Sequence, residues 1–123
     1  MAGRVQAQQQ EQCLHMVSEA AQQDSLSIEV LIPLFRSFTP ACTNNAEVAA
    51  WSNEVLFEVL ERAPLVFLEA LEVEGVHQAP VFAALSAPLL DWDIATLISR
   101  LKAISPSPAR DSVIAAMQKT LRQ

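Results

Sequence analysis

Only two glycines, Gly3 and Gly75, occur in the 123 residues of this chain, and tyrosine is absent. Alanine, leucine, glutamine and glutamate, all good helix formers, are abundant in their place, so the inventory argues against β structure and for a chain dominated by helices. The same scarcity leaves no glycine-rich loop able to cradle a phosphate group. Half of the sequence is apolar, 51% by count, which supplies one core for one domain. Large apolar residues recur from Leu26 to Leu121, a pattern that excludes a wholly disordered chain. No uninterrupted apolar run approaches the roughly 18 residues that cross a bilayer, so membrane insertion is not expected.

Residues 1–12 are polar and rich in glutamine (Gln6, Gln8, Gln9, Gln10, Gln12) and read as a tail, frayed or forming a solvated extension of the first helix. Residues 13–123 read as a single all-α domain of about seven short helices. Cys13, Leu14, Met16, Val17, Ala20 and Ala21 recur at helical spacing up to about Gln23. Ser27 is placed to cap a second helix with the stripe Ile28, Leu31, Ile32, Phe35 and Phe38, and Pro33 within it must kink the helix or start a new turn. Residues 39–45 read as a loop, and Asn44 with Glu47 resembles a capping box for a third helix bearing Val48, Trp51, Val55, Leu56, Val59 and Leu60. Pro64 opens a fourth helix ended by Gly75, and residues 78–90 hold a short helix with an irregular exit. Asp91 or Asp93 caps a sixth helix, and Ser107 caps a seventh that begins at Pro108.

The charge is unevenly spread. The net charge is −6, yet residues 47–93 hold nine acidic residues against Arg62 alone, and residues 94–123 hold five basic residues against Asp111. An acidic balance makes nucleic acid an unlikely partner, and no aromatic residue lies between Arg100, Lys102, Arg110, Lys119 and Arg122 to stack on bases. His15 and His77 have no metal-binding spacing, so no metal or other cofactor is expected. Glu69, Glu72 and Glu74 alternate with apolar residues, as on a solvated helix face. No strained turn presents a nucleophile, so catalysis is not expected either. Cys13 and Cys42 match neither a zinc pattern nor a redox motif. They read first as two thiols packed as small apolar groups; the alternative is a disulfide, which would imply an oxidising compartment.

Residues 27–57 match residues 93–123 without a gap at an offset of 66. Ile28, Leu31, Ile32, Pro40, Ala49 and Ala50 fall on Ile94, Leu97, Ile98, Pro106, Ala115 and Ala116, and the turn Phe38-Thr39-Pro40 falls on Ile104-Ser105-Pro106. Half of that offset is about the length of one two-helix repeat. The run Leu97-Ile98 to Pro106, followed by Val113 to Met117, resembles the first helix, turn and second helix of HEAT and armadillo-type repeats. The resemblance implies stacked antiparallel helical hairpins, α-solenoid-like, exposing a surface for another macromolecule without catalysis. A compact irregular helical bundle is the other architecture compatible with the pattern.

The functional expectation is a non-catalytic scaffold or adaptor domain that binds a protein partner or itself. Trp92, flanked by Asp91 and Asp93, is the candidate anchor. Glu69 and Glu72 on the acidic side and Arg100, Lys102 and Arg110 on the basic side are the charged candidates. The alternative is an exported structural domain in which Cys13 pairs with Cys42. A cytoplasmic location is expected because residues 1–12 lack an apolar signal core. A periplasmic or secreted location becomes the expectation if a signal peptide has been removed from a longer precursor.

Overall fold

Proline and capping residues set most of the helix bounds in the computed structural model, which describes the backbone of residues 2–122 and the side chains of residues 8–122. Among the described residues there are eight helices and no strand: α1 (Ala2–Gln22), α2 (Ile28–Arg36), α3 (Pro40–Thr43), α4 (Ala46–Arg62), α5 (Pro64–Leu71), α6 (Gln78–Leu85), α7 (Ile94–Lys102) and α8 (Pro108–Leu121). Pro40, Pro64 and Pro108 each stand at the start of a helix, where a missing N–H costs no hydrogen bond. Asp93 Oδ1 accepts from the Thr96 N–H at 3.1 Å and Ser107 Oγ from the Arg110 N–H at 3.1 Å, which fixes the starts of α7 and α8. Gly75 alone of the described residues has a positive φ, 89°, in the turn after α5.

The all-α architecture of about seven short helices is borne out by these eight, and four details are corrected. Pro40 to Thr43 close one turn of helix where a loop was expected. Asn44 then ends that turn in a helical conformation, so the capping role passes to the extended Asn45, whose Oδ1 accepts from the N–H groups of Glu47 at 3.0 Å and Val48 at 3.2 Å. Ser27 occupies the N-cap of α2 but its side chain makes no capping hydrogen bond. Cys13 and Cys42 are not two separate thiols but one disulfide. The Gln-rich segment is helical, with Gln8, Gln9 and Gln12 exposed; the side chain of Gln6 lies outside the described residues.

Helix α4 is the centre of the bundle. Its buried residues, among them Val48, Ser52, Val55, Leu56, Phe57 and Val59, run round its circumference, as expected of a helix covered on several sides. Helices α1, α5 and α6 pack against it, α2 packs on α1 and α5, and α8 is flanked by α6 and α7. Phe35 of α2 and Phe67 of α5 meet edge to face with ring centroids 5.1 Å apart. Phe57, Phe67, Leu56 and Leu60 are fully buried, and each such side chain contributes about 1.5–3 kcal/mol relative to exposure. Under the offset of 66, α2 and α7 have identical bounds and length, although their neighbours differ: α2 rests on α1 and α5, and α7 rests on α8.

Candidate functional site

Asn53 stands beside an open, largely apolar groove. The residue is 5% exposed on α4 and every polar atom of its side chain is used. The Nδ2 group donates to the carbonyls of Ala84 at 3.2 Å and Ala87 at 3.3 Å, and Oδ1 accepts from the Leu89 N–H at 3.0 Å. One amide therefore pins the end of α6 and the segment after it to α4. At this staple lies a groove of about 430 Å³, lined by Phe38, Thr43, Ala49, Pro80, Ala83 and Leu89 among others. Leu89 is 61% exposed and its neighbour Leu90 51% exposed.

The residues singled out in the sequence fall in several places. Trp92 is half-buried and stacks on Phe57 at a centroid distance of 5.7 Å and an interplanar angle of 18°, so its ring faces the core. Its Nε1 is shielded from solvent and finds no acceptor among the described residues. Asp91 and Asp93 are exposed on either side. The hydrogen bond from the Thr96 backbone, reinforced by one from the Thr96 side chain, holds the Asp93 carboxyl below the usual aspartate range. Glu69 and Glu72 are exposed, on α5 and at its C-cap.

The basic candidates are largely committed within the chain. Arg100 Nη2 donates to the Glu61 carbonyl at 3.0 Å, at the end of α4. Arg110 Nη1 donates to the Ile104 carbonyl at 2.7 Å and the Lys102 carbonyl at 3.4 Å, where α7 ends, while Arg110 Nη2 lies 3.1 Å from Asp111 Oδ1. Arg62 makes a third such bond, from Nη2 to the Gln23 carbonyl at 2.8 Å just beyond α1. In each case a guanidinium covers carbonyls left free at a helix C-terminus and meets the negative end of the dipole. Lys102 is exposed and is brought near Arg110 through its own carbonyl.

The disulfide lies apart from the groove. Cys13 on α1 and Cys42 on α3 line a cleft of about 330 Å³ together with Gln9, Gln10, Ala41 and Asn45. His15 Nε2 lies 3.3 Å from Glu19 Oε1 along α1, and His77 stands at the N-cap of α6. No group of three or more His, Cys, Asp and Glu among the described residues is placed to hold a metal ion, and no described helix is long and apolar enough to cross a membrane. Comparison with protein-family models, curated proteins and solved structures finds no match to this chain.

Sequence reasoning passed over Asn53. The available signal was its register: four residues after Ala49 and four before Phe57, it lies on an otherwise apolar face of α4, where an amide must find partners.

Proposed function

We propose that this chain is a non-catalytic helical domain that binds another protein by receiving an amphipathic helix of that partner in the groove beside Asn53. The observation that carries the reading is a groove lined by small side chains, Ala49, Ala83 and Ala84, together with the exposed Leu89, which the exposed Leu90 follows in the chain. Small residues let an incoming helix approach closely, and the exposed Leu89 among them offers its apolar face a contact. Helix α4 carries Glu47, Glu54, Glu58 and Glu61 while α6 carries no charge, so the partner's polar face is expected to be basic. The equal bounds of α2 and α7 are in keeping with the scaffold reading drawn from HEAT-type repeats; their different neighbours favour an irregular bundle over a regular stack.

The test is cross-linked capture from the native host with the intact chain, an Ala83→Arg variant and a Lys102→Glu variant. Cross-links that map to the groove, with capture lost only in A83R, support the reading. Capture that survives A83R and fails in K102E moves the site to the basic end of α7. A second reading, an exported structural domain, is favoured by the Cys13–Cys42 disulfide. Two free thiols counted under denaturing conditions in protein isolated from its host would remove it.

A further inference from the structure

The disulfide does not belong to the main core. Cys13, Cys42 and Val48, with Leu14 and Met16 against them, form a separate small cluster. Two helices are divided between it and the main core: α1 gives Cys13 to the small cluster but Val17 and Ala20 to the large one, and α4 gives Val48 to the small and Val55 onward to the large. Cys42 is the one buried residue of α3, a helix of four residues. A single turn has no stability of its own, so what seats α3 against α1 is the bond through Cys42. Cys13 and Cys42 are 3% and 4% exposed, and the cleft that reaches them is lined by the amides of Gln9, Gln10, Asn44 and Asn45 with no carboxylate to repel an approaching thiolate.

We propose that Cys13–Cys42 is a thiol-exchange site that works as a clasp, opened by a dithiol reductant entering this cleft, and that its opening frees α3 and the part of α1 before Val17 while the main core stays folded. A thiolate of the reductant attacks one cysteine sulfur; the Cys13–Cys42 bond breaks, a mixed disulfide forms and the other cysteine leaves as a thiolate that takes up a proton. The second thiol of the reductant then displaces the first cysteine and closes the reductant's own disulfide. Two electrons and two protons pass to the protein, and the reductant is oxidised by the same amount.

Hydrogen exchange on the full chain, oxidised and after treatment with dithiothreitol, tests the clasp. On reduction, amides of residues 10–16 and 42–48 are expected to lose about a hundredfold more protection than those around Phe57, Phe67 and Met117. The double variant C13S/C42S should reproduce the reduced pattern without reductant. If the two regions lose protection equally, or neither changes, the clasp is refuted. An Ala41→Trp variant, which fills the cleft, tests the route: reduction in native buffer should slow about tenfold or more while the rate in denaturant stays that of the parent. Equal native rates for A41W and the parent would overturn entry through the cleft.

Discussion

Asn53 is the side chain whose removal should do most damage for its size. Three of its hydrogen bonds reach residues 31, 34 and 36 positions along the chain. Alanine there would leave the Leu89 N–H and the Ala87 carbonyl without their side-chain partner, while the Ala84 carbonyl keeps the Ala87 N–H at 3.2 Å, and each unpaired buried group costs about 1–3 kcal/mol. Water can reach the segment after α6, so the expected loss for Asn53→Ala in urea denaturation is about 2–4 kcal/mol rather than the full sum. Asn53→Asp should be worse, because it turns a donor toward two carbonyls into an acceptor. A loss below about 1 kcal/mol in N53A would mean that the staple is redundant. Asp93 makes a prediction of another kind. Its carboxyl titrates below the unfolded value of about 3.9, so its stabilisation is present above that pH and is lost as pH falls through the lower folded value. The difference in stability between parent and Asp93→Asn should therefore be constant from neutrality to about pH 5 and change only in the acid limb below about 4. Thermal melts across that range check it, and a difference that varies near neutrality would contradict the cap.

At the scale of elements, the arginines divide the work that caps leave undone. Arg62, Arg100 and Arg110 close the C-terminal ends of α1, α4 and α7 in turn, each reaching from a different helix. Arg110 is the best shielded in its ion pair, with its side chain 16% exposed against 63% for Asp111. Arg110→Ala is expected to cost about 1–2 kcal/mol, and Arg110→Lys to recover only part of it, since one ammonium cannot serve two carbonyls and a carboxylate in the guanidinium's geometry. Chemical denaturation of both variants decides this; full rescue by lysine would reduce the arginine to a point charge. The starts of α5, α7 and α8 were legible because Pro64, Asp93, Ser107 and Pro108 are local signals read without knowing the fold. Helix α3 was not, since four residues carry no period, and its presence is also what displaced the cap from Asn44 to Asn45. The clasping roles of Arg100 and Arg110 were hidden for a related reason: charge sequence shows that bases cluster, but not that carbonyls at the ends of other elements lie within reach.

For the molecule as a whole, the disulfide and the groove share one short element. Cys42 faces α1 through the disulfide, while Thr43, the next residue, walls the groove with Phe38. Neither relation was readable from spacing alone, because the disulfide depends on how α1 meets α3 and the groove on how residues 38–53 meet residues 80–89. Linking Cys13 to Cys42 closes a loop with a sequence separation of 29 that contains the whole of α2, and such a constraint on the unfolded chain is worth about 3–4 kcal/mol. The C13S/C42S variant should show a loss of that size in urea against the oxidised parent, and dithiol reduction of the parent should give the same value. A consequence for binding follows from the shared element. If α3 forms a wall of the partner site, C13S/C42S must also weaken cross-linked capture at a temperature where the main core remains folded, whereas A83R should weaken capture with stability unchanged. Capture that is lost in A83R but untouched in C13S/C42S would keep the groove and detach α3 from it; loss in the cysteine variant alone would place the partner on the disulfide side of α1.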